Sequence, residues 1–373
     1  MSTSRLQQPV SDILATADVK INGSRPWDLH VHDERFYKRV LTQGTLGLGE
    51  SYMDGWWDCA QLDAFVFQAL RADLYKTARL GWRSVLSLLL PKLLNLQAKG
   101  KAARNAQRHY DIGNNLYQLM LDKRMTYSCG YWKNADTLDE AQENKLDLIC
   151  RKIRLQPGKR VLDIGCGWGS FARFAAEKYG AQVVGVTVSQ EQAAMARERC
   201  KGLPVEIRLQ DYRDVRETFD HVVSVGMAEH VGYRNHRTYM QTAARCLKAD
   251  GLFLLHTIGN NFSRTSADPF TDTYIFPNCL IPSIKQLGAA MEHLFVVEDW
   301  HNFGPYYDNT LMAWFHNFDQ SWPQLQQQYG DRFYRMWKYY LLSSAGSFRA
   351  RNNQLWQLVL SKKGIVGGYE AVR

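Results

Sequence analysis

The sequence predicts an α/β protein, a doubly wound and largely parallel sheet with a small, mostly helical N-terminal domain. Three observations carry this. From about Ala106 onward, runs of Val, Ile and Leu ("VLDIG", "AQVVGVTV", "PVEIRLQ", "HVVSVG", "GLFLLHTI") alternate with helical segments such as "EQAAMARERC" and "HRTYMQTAARCLK". Continuous apolar strands separated by helices indicate a parallel sheet covered on both faces. One strand runs directly into a glycine-rich turn and then a helix, which is where such sheets present a ligand site. Finally, the first 80 residues show helical spacing and turns rather than that alternation.

Taken in order, "KINGSRPWD" is a turn, and "DERFYKRVL" reads as a helix whose acids sit at the favourable end of its dipole. Glycines 44, 47, 49 and 55 in "QGTLGLGESYMDGWWD" suggest a tightly folded loop with a short helix. "LDAFVFQALRADLY" places Phe65, Leu70 and Leu74 on one helical face. The expected division is a helical domain over 1–80, a connector over 81–105 and the α/β domain over 106–373. "LFVVEDW" and "QLWQLVLSKK" are late strands suited to an antiparallel edge.

The net charge of +9 is concentrated. Between Arg71 and Arg108 nine Lys and Arg face one acid, Asp73, so one surface carries most of the imbalance and its partner is anionic. Leucines interleaved with those bases, broken at Pro91, fit either an amphipathic contact with an anionic membrane or a linker helix packed on its own domain. The longest apolar run, Val85 to Leu96, is too short to span a bilayer. Seven cysteines without a CxxC pair, and an N-terminus without a signal-peptide core, point to reduced thiols in the cytoplasm. His30 and His32 alternate as in a strand, but no further cluster completes a metal site.

"RVLDIGCGWGSFARF" is the most informative stretch. Asp163 stands two residues before Gly165, and Gly167 and Gly169 complete a GxGxG turn. This resembles the first motif of S-adenosylmethionine (SAM) methyltransferases, in which the glycines let backbone approach the cofactor and the acid anchors its methionine portion. The next strand ends at Thr187, where many such enzymes place an acid for the ribose hydroxyls, and Gln192 offers a second polar contact. The third strand ends in Gln210, Asp211 and Tyr212, candidates for framing the adenine. Cys166 within the turn reads as a space-filler.

The order of "HYDIGNNLYQLML", "YSCGYW", "VLDIGCGWGS", "GVTVSQEQ", "SVGMAEHVG", "LLHTIG" and "NFGPYYDNTLMAW" resembles the cyclopropane-fatty-acyl-phospholipid synthase family. "GTLGLGESYMDGWWD" and "FRARNNQLWQ" resemble its long bacterial form, so the likeness covers nearly the whole chain. It implies a SAM-methyltransferase (Rossmann-like) sheet and transfer of a methylene group from SAM to a cis double bond of a phospholipid acyl chain. It also implies a bound bicarbonate that deprotonates the cationic intermediate, held by Cys129, Glu229, His256, the backbone of Ile258, and Tyr307. Tyr127 and Ser128 match positions that contact SAM. The resemblance further implies a homodimer that visits an anionic membrane from the cytoplasmic side.

Taken singly, Cys129, His256 and Tyr307 also read as packed core residues. Glu229, a carboxylate at the mouth of a buried strand, fits that reading least. Ser344 replaces a cysteine of some relatives, which favours direct methyl transfer over a covalent enzyme intermediate. Three other readings are a lipid C-methyltransferase that leaves a methyl branch, an RNA methyltransferase suggested by the basic charge, and a catalytically silent lipid-surface protein. A basic run mixed with leucines rather than stacking aromatics argues against the second.

Overall fold

The computed structural model describes residues 4–74 and 113–373. These residues divide into two compact units, one holding 4–74, 266–277 and 307–353, the other 113–265, 278–306 and 354–373. The connector expected over 81–105 lies outside the described residues, as does most of the basic run. Among the described residues no helix is long and apolar enough to cross a membrane.

The second unit is built on a seven-stranded sheet. Its strands are β1 (Arg160–Ile164), β2 (Gln182–Thr187), β3 (Val205–Leu209), β4 (Phe219–Val225), β5 (Leu247–Asn260), β6 (Val296–Asn302) and β7 (Asn353–Ser361). They lie in the order β3-β2-β1-β4-β5-β7-β6. The β3/β2, β2/β1, β1/β4 and β4/β5 pairs are parallel, and β6 runs antiparallel to β7 at the edge. The strand order reverses beside β1, which opens a crevice at the carboxyl ends of β1 and β4.

Successive residues point to opposite faces, and both faces are apolar. Leu162, Val222, Phe253, Leu255 and Leu358 pack into one core, while Val161, Val223, Leu252, Leu254 and Val359 pack into the other. Each fully buried side chain of this size contributes about 2 kcal/mol of transfer free energy. Helix Leu138–Lys152 covers the second face through Leu146 and Ile149. It opens on a capping box in which Thr137 accepts from the Glu140 N–H and the Glu140 carboxylate accepts from the Thr137 N–H. Asp163, two residues after Val161, faces the same side as this helix.

The first unit is mostly helical, and it draws on more of the chain than the N-terminal 80 residues. Helix Asp331–Arg349 packs against helices Leu62–Arg71 and Arg35–Met53. Gly346 permits the approach, since a Cβ there would stand 2.4 Å from the Asp63 carbonyl oxygen. Arg349 ties the same region together by bonding Asp63 at 2.7 Å and Asp308 at 2.8 and 3.0 Å. The glycine-rich segment expected as a loop with a short helix is the second half of helix Arg35–Met53, which kinks at Gly44 (φ 58°). Its glycines serve packing, because the Phe270 ring occupies the space of a Gly49 side chain. Tyr307 belongs to this unit, with its ring 4.5 Å from that of Phe348 and 5.9 Å from that of Trp314. Ser344 is half-buried on the Asp331–Arg349 helix.

Candidate active site

At the end of β1 the chain turns three times through left-handed backbone, at Gly165 (φ 82°), Gly167 (φ 53°) and Gly169 (φ 80°). The Gly165 and Cys166 N–H groups donate to the Val186 carbonyl at 3.0 and 3.1 Å, which pins the turn to β2. A Cβ on Gly167 would meet nothing within 4 Å among the described residues, so the turn presents bare backbone to open space. Cys166 is buried against Gly185, and burial pushes its thiol far up, as a space-filler requires.

The other residues expected around a cofactor stand at successive strand ends. Thr187 donates its hydroxyl to Oε1 of Gln192 at 2.9 Å, and its own Oγ1 accepts from the Ser189 N–H at 3.2 Å. Gln210 donates its N–H to the Thr187 carbonyl at 2.9 Å, which brings the β2 and β3 ends together. Asp211 is paired with Arg213 through two side-chain bonds of 2.8 and 2.6 Å. The Tyr212 ring belongs to the core and meets Tyr239 edge-on at 5.6 Å.

Asp163 is the unusual member. It is 2% exposed, and its Oδ2 has no hydrogen-bond partner among the described residues. Burial pushes its carboxyl up to about 7, opposed by the ammonium of Lys145. Lys145 is itself fully buried and is lowered by that burial to about 8, opposed by Asp122, Cys129 and Asp163. Its Nζ donates to Oγ of Ser128 at 2.8 Å. From the same helix, Gln142 donates to the Ser128 carbonyl at 2.7 Å. The half-buried Tyr127 meets Tyr117 edge-on at 5.1 Å. The 126–130 segment is thus held against the helix by polar groups in a place where apolar contact is the rule.

Glu229 lies just past β4, in the short helix Ala228–Val231. It is 7% exposed, and Oε1 accepts the Ile258 N–H at 2.6 Å. Oε2 has no hydrogen-bond partner among the described residues. Burial pushes this carboxyl up to about 7, although the Ile258 hydrogen bond acts the other way. His256, two residues before Ile258 on β5, is buried and held well below its ordinary pKa by desolvation, so it is neutral. Its Nδ1 faces Nε2 of Gln357 at 3.3 Å, and its Nε2 has no partner among the described residues. An amide nitrogen donates, so this arrangement leaves Nδ1 as acceptor and Nε2 bearing the proton.

Around His256 stand Phe303 at 5.9 Å and, beyond it, His301, Tyr131 and Tyr306, each within 6.1 Å of the Phe303 centroid. Cys129 is fully buried, with its thiol 3.2 Å from the Gly130 carbonyl. Of the residues expected to surround a bicarbonate, four therefore lie in the second unit. Of the Ile258 backbone, expected to help hold the anion, the N–H is engaged by Glu229 and the carbonyl accepts from the Thr257 hydroxyl at 2.9 Å. Lys145 and Gln357 were not among the expected residues. Both interrupt otherwise buried positions, Lys145 on the inner stripe of its helix and Gln357 in the middle of an apolar strand.

Among the described residues, the buried atoms left with unused hydrogen-bonding capacity include Asp163 Oδ2 near the glycine turn, and Glu229 Oε2 and His256 Nε2 at the β4 and β5 ends. The chain matches the model of the mycolic acid cyclopropane synthetase family over residues 97–358. It belongs to that family. The Escherichia coli K12 cyclopropane-fatty-acyl-phospholipid synthase is 51% identical over 363 residues, 97% of this chain and 95% of that one. Among solved structures, the cyclopropane synthase MmaA2 of Mycobacterium tuberculosis superposes with a TM-score of 0.66 at 31% identity, covering 70% of this chain and 98% of that one. The mycolic acid cyclopropane synthase CmaA1, complexed with SAH and CTAB, gives a TM-score of 0.66 at 32% identity over the same shares. The sheet of this cyclopropane synthase family member is accordingly the SAM-methyltransferase fold, and the chain is an enzyme of the methyltransferase class.

Proposed function

We propose that the chain is a cyclopropane-fatty-acyl-phospholipid synthase that closes a three-membered ring on the cis double bond of an unsaturated phospholipid acyl chain, using SAM and a bound bicarbonate. The single observation that carries the reading is the pair of buried atoms without partners among the described residues, Glu229 Oε2 and His256 Nε2, at the carboxyl ends of adjacent strands in a chain 51% identical to such a synthase. SAM would supply the methyl group that becomes the bridging carbon, and bicarbonate a proton-accepting oxyanion. Backbone around Gly165, Gly167 and Gly169 would hold SAM, with Asp163, Tyr127, Ser128, Thr187, Gln192, Gln210 and Asp211 in reach. Tyr212 acts as packing beneath them.

The donor set suits a small oxyanion. A carboxyl with its pKa near 7 retains its proton on a large share of molecules at neutral pH, and that proton sits on the oxygen not engaged by Ile258. Glu229 can then share a proton with an anion instead of repelling it. His256, neutral and protonated at Nε2, donates without adding charge. Cys129 adds a thiol to the proposed set in the second unit. The rings of Phe303, Tyr131 and Tyr306 offer π faces to a cationic acyl carbon and help exclude the water that would trap it.

Access to such a substrate calls for peripheral contact with an anionic membrane at the cytoplasmic face, for which the +9 net charge and the basic run between Arg71 and Arg108 supply the attraction. A homodimer would place two such surfaces on one bilayer. The test is incubation of the purified protein with SAM and monounsaturated phospholipid vesicles, with and without bicarbonate, followed by mass spectrometry of the acyl chains. A gain of CH2 with loss of the alkene, falling in decarbonated buffer, supports the reading. A product two hydrogens heavier signals methyl branching instead, and no lipid product overturns it.

A further inference from the structure

We propose that Lys145, acting with Ser128 and facing Asp163, is the counter-charge for the carboxylate at the amino-acid end of SAM. The inference rests on the SAM reading above and deepens it by assigning the carboxylate end of the zwitterion to Lys145 with Ser128 and the ammonium end to Asp163.

The argument begins with where Lys145 lies. Its helix turns Leu146 and Ile149 into the core, and Lys145 is as inaccessible as they are. An ammonium withdrawn from water persists only where acceptors or anions face it. Lys145 has three N–H donors, of which the structure shows one in use, toward Ser128. No carboxylate of the described residues lies within 4.0 Å of Nζ. Asp122, the acid that acts on it most strongly, has already committed its oxygens to the Thr126 and Arg124 N–H groups at 2.7 and 2.9 Å. Spare donor capacity therefore remains at Nζ.

Ser128 extends that capacity. Its Oγ accepts from Lys145, so its own hydrogen must turn toward a different acceptor. Asp163 supplies the complementary half, a buried carboxylate oxygen with no donor among the described residues. Two groups with donors to spare and one empty acceptor, all within a field that Lys145 and Asp163 share, match a carboxylate and an ammonium on one carbon. A ligand carrying only the ammonium would satisfy Asp163 and leave Lys145 as it is.

The measurement is calorimetric titration of the full-length protein with S-adenosylhomocysteine and with its decarboxylated analogue, which keeps the amine and lacks the carboxylate. The native protein should prefer S-adenosylhomocysteine by about tenfold or more. Lys145→Met should lose that preference through weaker binding of S-adenosylhomocysteine, with the analogue held about as tightly as before, and that unchanged affinity also shows that the pocket has folded. Lys145→Arg should recover part of the preference. If Lys145→Met weakens both ligands equally, Lys145 is a structural balance for Asp122 and Asp163, and the proposal is overturned. A preference that survives the substitution overturns it as well. Should Lys145→Met not fold, Ser128→Ala decides, and an unchanged preference there is the overturning result. Failure of the native protein to bind either ligand would instead defeat the SAM reading itself.

Discussion

The Ile258 backbone N–H donates to Oε1 of Glu229 at 2.6 Å, and this one bond decides which carboxyl oxygen is left for chemistry. β4 and β5 are adjacent and parallel, so a residue just past the end of β4 meets the backbone of β5 at the same edge of the sheet. Oε1 is satisfied by that backbone, and Oε2 remains buried without a partner among the described residues.

Replacing Glu229 with Gln keeps the Ile258 bond and removes the titrating proton. The carboxyl titrates near 4.5 when unfolded and near 7 when folded, so the folded state binds the proton more tightly. Below pH 4.5 both states hold it and no penalty arises. As pH rises through 7 the native protein loses that advantage, by about 3 kcal/mol for a shift of this size. Glu229→Gln should therefore match the native protein at pH 4.5 and be the more stable above pH 7 in denaturant titrations, while turnover falls about a hundredfold or more. A variant that is less stable at pH 8 would contradict this account of the buried carboxyl.

Gln357 is expected to set the tautomer of His256. With the amide nitrogen facing Nδ1 at 3.3 Å, the ring proton belongs on Nε2. Histidine-selective 15N spectra should show that tautomer in the native protein and no imidazolium at neutral pH, since burial holds His256 well below its ordinary pKa. Gln357→Glu offers an acceptor instead and should move the proton to Nδ1, with turnover reduced about tenfold or more. An unchanged spectrum would remove Gln357 from the site.

Much of this site is legible in the amino-acid sequence, because its residues lie at strand ends that apolar runs mark out. Asp163, Glu229 and His256 each end or follow such a run. Lys145 and Gln357 are not legible as functional, although both leave a trace. Lys145 is seven residues after Leu138 and four before Ile149, so helical periodicity places it on the buried stripe despite its charge. Gln357 stands inside "LWQLVL", where both faces are buried. The glycine-rich stretch after Gln43 reads as a loop with a short helix because glycine disfavours helix, and the close approach of the Phe270 ring to Gly49 and of the Arg39 carbonyl to Gly47 explains why a longer helix carries these glycines. In the same way, nothing local announces that 307–353 groups with the N-terminal helices.

Gly167→Ala separates folding from cofactor binding. The position has φ 53°, and a Cβ there would meet nothing within 4 Å among the described residues. Its cost in stability should be only that of a left-handed alanine, about 1–2 kcal/mol. A methyl group in the space offered to SAM should nevertheless abolish S-adenosylhomocysteine binding in the same calorimetric titration. Native affinity in a folded variant would place the cofactor elsewhere.

Gly259→Ala tests the packing beneath Ile258. A Cβ there would stand 2.1 Å from the Trp356 ring, which is 2% exposed and wedged edge-on against Trp300 at 5.2 Å. Neither the strand nor the indole can yield, so the variant should lose about 1–3 kcal/mol in denaturant titrations. Trp356→Leu alone should also destabilise, by removing a buried ring. Combining the two should cost less than their sum, because the smaller side chain leaves room for the added methyl. Strictly additive losses would mean that the clash is relieved by backbone movement. In that case Ile258 should shift as well, and turnover of Gly259→Ala should fall further than its stability predicts.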